Sequence, residues 1–172
     1  MKNFILIEDN FFDKKLCQDI IEKYQNKVIK GETHTGYDHH IMQNDDTLIN
    51  EQLYKKLPSA VKNYLKLYPE SNLTDSKWNL QEVRFKHFKP GYFYSKWHSE
   101  VSYYSPNRIL NMMIYLSEHN CGTEFFDGSV IKSEIGRLTI FPSYFTHTHR
   151  GQICPENKNR YILGGYFTFV CD

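Results

Sequence analysis

Apolar positions change their rhythm once along the chain, near Pro69. Before it the spacing is helical. The run Phe4-Ile5-Leu6-Ile7 reads as a short buried strand. From Asp13, placed as an N-cap, Leu16, Ile20, Ile21 and Tyr24 recur on one stripe and predict a helix. Residues 33–50 are polar and His-rich (His34, His39, His40) without a clear period, which predicts a loop. A second helix is expected from about Glu51 to Leu67, where Leu53, Leu57, Val61 and Leu65 share a face. Pro58 should break or kink it, because proline lacks the backbone donor and crowds the preceding turn.

After Pro69 the period becomes two. Between residues 79 and 89, Gln81, Val83, Phe85 and His87 fall on one side, and Leu80, Glu82, Arg84, Lys86 and Phe88 on the other; Pro90-Gly91 then signals a turn. Residues 109–117 put Leu110, Met112, Ile114 and Leu116 on one face, and Asn111, Met113 and Tyr115 on the opposite face. Further strands are expected at Gly122–Phe126, Arg137–Phe141, Thr146–Arg150 and Arg160–Val170. Helices followed by many short strands predict an α+β protein whose second half is an antiparallel sandwich or barrel. No repeat, low-complexity tract or linker composition divides the chain, so a single domain is expected over residues 1–172, helical over about 1–75 and β-rich over about 78–170.

Composition narrows function only by exclusion. Lys+Arg 21 against Asp+Glu 20 leaves a net charge of +1, so no global field points to nucleic acid or an anionic membrane. The four-residue apolar run near the N-terminus is too short for a signal-peptide core or a membrane span, which predicts a cytoplasmic protein. Cys17, Cys121, Cys154 and Cys171 lie far apart without a C-x-x-C pair and are expected to be reduced thiols packed as small core residues.

The chemistry concentrates after residue 90. Tyr94-Ser95-Lys96-Trp97-His98-Ser99-Glu100 contains H-x-E, and on an extended backbone residues two apart point the same way, so imidazole and carboxylate can converge. Within Phe141-Pro142-Ser143-Tyr144-Phe145-Thr146-His147-Thr148-His149-Arg150-Gly151 stand two more imidazoles, His147 and His149, either of which can complete the set. Two imidazoles and one carboxylate form a facial triad that leaves coordination positions open, a donor set suited to iron(II). Arg160 opens an otherwise apolar strand, and a guanidinium there makes sense if it faces a cavity and grips a carboxylate at two points.

In this order the elements resemble the 2-oxoglutarate-dependent dioxygenases, in particular their prolyl 4-hydroxylase-like branch. They are H-x-E, Ile114-Tyr115-Leu116-Ser117, Gly122-Thr123-Glu124-Phe125, Gly136-Arg137-Leu138 leading to Phe141-Pro142, the distal histidine, and a basic residue opening an aromatic-rich strand. The sequence is also similar to small oxygenases encoded by marine phages, which share W-H-x-E and F-P-x-x-x-T-H-x-H-R-G. The resemblance covers residues 81–169.

It implies a double-stranded β-helix (jelly-roll) core with the N-terminal helices packed on one sheet. It implies iron(II) on His98, Glu100 and His149, the spacing from Phe141 favouring His149 over His147. It implies 2-oxoglutarate held through its distal carboxylate by Arg160, with the Tyr115 hydroxyl as a second donor and Tyr94 lining the site. Dioxygen as oxidant and ascorbate as an additional reductant come with the family. So does a hydroxylation of an unactivated C–H bond in a prolyl residue of a peptide or protein, or in a free amino acid. The location implied is the cytoplasm, that of the host if the gene is phage-borne. Two departures stand out: Glu100 replaces the usual Asp, and the Gln152–Asn159 interval is longer than in many relatives.

Blander readings apply elsewhere. His34, His39, His40, His87 and His119 have no partner at ligand spacing, and His39 and His40 should face opposite ways. The aromatic run Tyr92 to Tyr104 can line a cleft or simply pack, and Val101–Asn107 can be a lid or a connection. Gly164-Gly165 signals a bulge or a close backbone approach. Two other functions use parts of the same pattern: a cupin-like metal-binding protein without oxygenase activity, and a nucleic-acid-directed oxidative demethylase.

Overall fold

The period-two segments pair into two sheets, and the helical segments cover the larger one. The computed structural model describes residues 2–29, 37–42, 46–74 and 76–170. In chain order the elements are β1 (Leu6–Glu8), α1 (Lys14–Tyr24), β2 (Tyr37–Ile41), α2 (Thr47–Leu67), β3 (Trp78–Phe88), β4 (Arg108–Tyr115), β5 (Gly122–Phe125), β6 (Val130–Lys132), β7 (Leu138–Pro142), β8 (His149–Gly151) and β9 (Arg160–Phe169). The larger sheet runs β1-β7-β4-β9-β3-β2 and the smaller β6-β5-β8, with every pairing antiparallel. This is the expected α+β double-stranded β-helix with helices on one sheet. Among the described residues no helix is long and apolar enough to cross a membrane.

Alternation decides which side each residue serves. On β4, Leu110, Met112 and Ile114 join Cys17, Ile20, Leu53, Leu57 and Tyr64 in the core beneath the helices. Met113 and Tyr115 point the other way, into a second core with Phe125, Ile131, Phe141 and Ile162 between the two sheets. Helix α1 starts where its cap predicts, with Asp13 Oδ1 accepting from the Leu16 N–H at 2.8 Å.

Five expectations need correction. The first strand lies at Leu6–Glu8, two residues beyond the predicted start. The supposed loop 33–50 contains β2, a polar strand held by its ladder to β3, and the first turn of α2; His34 lies outside the described residues. Helix α2 runs unbroken through Pro58. The carbonyl that loses its partner there belongs to Tyr54, 87% exposed, so water can take it. On β3 a bulge between Leu80 and Glu82 inserts one residue, returning Trp78 and Leu80 to the helix side with Val83 and Phe85. Finally, the predicted strand 146–150 is a 3-10 turn at Phe145–His147 followed by β8, and the short β6 carried too little pattern to be seen.

Leu163 is fully buried under the helices, whereas Leu73 is 80% exposed. Leu163→Ala should lower unfolding stability by about 2–5 kcal/mol, while Leu73→Ala should stay within about 0.5 kcal/mol. Urea midpoints at unchanged slope test both.

Candidate metal centre

Two backbone hydrogen bonds bring the histidines together. His149 opens β8, and His98 lies in the irregular segment between β3 and β4. They form an isolated antiparallel bridge in which each N–H donates to the other's carbonyl, at 3.0 and 2.9 Å. Directly opposed residues project to one face, and the two rings lie 4.4 Å apart. Glu100, two residues beyond His98, is tied down by its N–H, which donates to the Ser143 carbonyl at 3.0 Å.

Each imidazole is oriented from behind. His98 Nδ1 lies 3.0 Å from the Lys96 carbonyl and His149 Nδ1 lies 2.9 Å from the His147 carbonyl. A carbonyl oxygen only accepts, so both Nδ1 atoms carry the proton and both Nε2 atoms present lone pairs. Each Nε2 stands 3.6 Å from Glu100 Oε1. That is too long for a hydrogen bond and suits ligands roughly 2.0–2.2 Å from a shared ion. All three ligand atoms lie within 4.8 Å of one another and can hold a metal.

Glu100 is buried, which by itself raises its carboxyl pKa. In the metal-free protein the His149 and His98 rings, when protonated on both nitrogens, and the Lys86 charge outweigh burial and hold it well below the usual carboxylate range. Asn111 Nδ2 donates to Oε1 at 3.4 Å and Arg108 Nη1 to Oε2 at 3.5 Å. Neither residue was singled out in the sequence. The available signal was Asn111 on the inner face of an otherwise apolar strand.

The centre opens into a cavity of about 540 Å³, whose wall includes Tyr94, Arg108, Thr123, Gly151, Arg160 and Tyr166. Arg160 is 3% exposed at the start of β9. Its Nη1 donates to the Gln152 carbonyl at 3.2 Å, its Cζ lies 5.0 Å from the centre of the Phe88 ring, and its buried Nε has no partner. Among the described residues no carboxylate pairs with it. Tyr94 packs its ring 4.3 Å from that of His98. Tyr115 is fully buried and donates to Thr123 Oγ1 at 2.7 Å, so it meets the cavity through Thr123.

His147 Nε2 lies 2.7 Å from the Asn3 carbonyl and therefore carries a proton there, and its ring is not among the three that cluster. Arg150 points away from the centre and binds Glu124 at 2.8 Å. His39 lines the cavity while His40 stacks on Tyr24, on opposite faces as expected. Gly165 marks close packing: a Cβ there would lie 2.7 Å from Met112 Cε. The expectation of four separate thiols fails for two of them. Cys121 and Cys154 are disulfide-bonded, because the start of β5 meets the long interval before β9. Cys17 is free and buried, its thiol pushed up to about 11, and Cys171 lies outside the described residues.

No protein-family model matches the sequence, and no curated protein is similar to it at a significant level. Solved structures do share its fold. A viral collagen prolyl hydroxylase from Paramecium Bursaria Chlorella virus-1, in complex with 2OG, superposes with a TM-score of 0.72 at 18% identity, over 98% of this chain and 97% of that one. A Pseudomonas putida prolyl-4-hydroxylase gives 0.72 at 15%, over 99% and 95%. A Trichoplax adhaerens prolyl hydroxylase, in complex with a hypoxia inducible factor oxygen degradation domain peptide fragment, gives 0.72 at 16%, over 97% and 84%. The chain has the fold of these hydroxylases along nearly its whole length.

Because Glu100 has a lowered pKa when folded, the stability it contributes is present above its unfolded value of about 4.5. That contribution is lost as pH falls toward the folded value. In metal-free protein, the stability difference between the parent and Glu100→Gln should therefore shrink as pH drops from about 6 to about 3. Urea titrations at successive pH values measure it.

Proposed function

We propose that the protein is an iron(II)- and 2-oxoglutarate-dependent dioxygenase that hydroxylates an unactivated C–H bond. One observation carries the reading: two oriented Nε2 lone pairs and a buried carboxylate converge on the same cavity that a carboxylate-free, buried guanidinium lines. The donor set suits iron(II), and two imidazoles with one carboxylate on one face leave room for exchangeable ligands. The shared fold with prolyl hydroxylases supports the same conclusion. In this reading His98, Glu100 and His149 hold the metal.

When bound there, iron(II) supplies the oxidising chemistry by which dioxygen and 2-oxoglutarate are converted to succinate, carbon dioxide and a hydroxylated product. The protein's own groups place the reactants. Arg160 takes the distal carboxylate of 2-oxoglutarate through a charge-assisted fork. Thr123 Oγ1 adds a polar contact, and Tyr115, whose hydroxyl donates to it, acts as a positioning residue. Tyr94, Phe125 and Phe141 pack around the two histidines and keep water from their edges.

The substrate class we propose is a prolyl residue in a peptide, with a free amino acid as the smaller variant. The likeness to a chain solved with a peptide fragment supports a peptide. So does Tyr104, which lines the cavity and is 90% exposed, with the Tyr103 ring packed edge-on against it.

Purified protein with iron(II) and 2-oxoglutarate should release succinate, more so with the right substrate among proline-rich peptides, free amino acids and methylated oligonucleotides. Absence of succinate under all these conditions would sink the proposal. Turnover should vanish in His149→Ala and survive in His147→Ala. Arg160→Gln should raise the KM for 2-oxoglutarate about tenfold or more, the worth of a charge-assisted contact.

A further inference from the structure

A second cluster of ligand-competent side chains lies behind Arg160, apart from the three residues assigned to iron. One ligand atom from each of His119, Cys154 and Glu156 lies within 4.8 Å of the other two, and Cys121 Sγ is bonded to Cys154 Sγ. Spacing gave His119 no partner at ligand distance, yet Cys154 and Glu156, 35 and 37 residues further along, fold against it.

Two of these atoms are orphans. The His119 side chain is 1% exposed; its Nδ1 and the buried Glu156 Oε2 have no hydrogen-bond partner, although they face each other at 3.8 Å. The rest of each group is held in place for a ligand role. His119 Nε2 lies 3.2 Å from Ser117 Oγ, which already accepts the Tyr161 N–H at 2.9 Å and has a second lone pair for an Nε2–H. With the proton on Nε2, Nδ1 offers a lone pair. Glu156 Oε1 accepts the Asn120 N–H at 2.8 Å, leaving Oε2 aimed inward. In that tautomer the lone pair faces the Glu156 oxygen and the two repel unless a cation stands between them.

We infer that His119, Cys121, Cys154 and Glu156 form a four-coordinate zinc site when the two cysteines are reduced. Two thiolates, an imidazole and a carboxylate in a closed set select zinc in a structural role. Each half, His119-x-Cys121 and Cys154-x-Glu156, supplies two donors from an irregular segment, one before β5 and one before β9. The site's net charge of −1 with zinc faces a cation: Arg160 Nη1 donates to Cys121 Sγ at 3.3 Å and to Cys154 Sγ at 3.5 Å. Zinc thereby clamps the long Gln152–Asn159 interval over Arg160.

The disulfide and the zinc site exclude each other. A dithiol reductant passes two electrons and two protons to the Cys121–Cys154 bond, leaving two thiols and its own disulfide. Zinc then binds as both thiols release their protons.

Full-length protein, reduced with dithiothreitol and desalted without oxygen, is titrated with cobalt(II). The expected result is two cobalt ions per chain and an intense sulfur-to-cobalt charge-transfer absorption, which the thiolate-free centre at His98, Glu100 and His149 cannot produce. Zinc should erase that absorption, and oxidised protein should lack it. Cys154→Ser should lose most of it while still binding the other cobalt ion. Glu156→Gln, in an exposed interval, should keep thiolate absorption with affinity reduced about tenfold or more. Reduced parent protein without sulfur-to-cobalt absorption, or absorption unchanged in Cys154→Ser, overturns the inference. Since the signal does not depend on turnover, it can fail or succeed independently of the oxygenase reading.

Discussion

His98 and His149 are held opposite one another by a pair of backbone hydrogen bonds, and the centre depends on that bridge. A backbone bridge sets the separation of two imidazoles more tightly than side-chain packing does, because it fixes the Cα positions from which both rings extend. The carbonyls of Lys96 and His147 then set which nitrogen of each ring faces inward. What remains free is the carboxylate, and Glu100 is restrained by Ser143 along its backbone and by Asn111 and Arg108 at its tip. Glutamate in place of aspartate is accommodated by that restraint: the longer side chain still brings Oε1 equidistant from both Nε2 atoms.

The larger sheet separates rigidity from chemistry. Its one face is sealed by α1 and α2 over a continuous apolar core, while the other meets the small sheet across Phe125, Phe141 and Ile162. The cavity sits at the edge of this second, thinner core, where charged groups can be lined up without crossing the main one. Gly151 illustrates the tolerance involved. A Cβ there would lie 3.2 Å from the Tyr94 backbone nitrogen and 3.4 Å from Arg160 Nη2, so a side chain would press on the strand crossing and the guanidinium together.

Arg160 links the two clusters. Its guanidinium is buried against Phe88 with no carboxylate partner among the described residues, a costly placement unless an anion is part of the working protein. One face of the group looks toward the cavity lined by His98, Glu100 and His149, and its Nη1 rests on the Cys121 and Cys154 sulfurs. Chemistry at the cysteines therefore bears directly on the group that would grip 2-oxoglutarate.

Local pattern was enough for the parts of this protein that a chain can specify by itself. The inner and outer faces of β4, the Asp13 cap and the H-x-E pair could all be read from spacing, because period and i, i+2 projection are properties of a few consecutive residues. Polar β2 and three-residue β6 escaped because their stability comes from partner strands rather than from their own composition. That His149 rather than His147 stands beside His98 and Glu100 follows from a 3-10 turn and from the Asn3 carbonyl, 144 residues from His147, which holds the His147 ring elsewhere. The meeting of His119 and Cys121 with Cys154 and Glu156 was likewise invisible, since the residues between them carry no trace of the contact. Spacing along the backbone names ligands in pairs; only folding, which brings distant strands into register, decides which pairs share an ion.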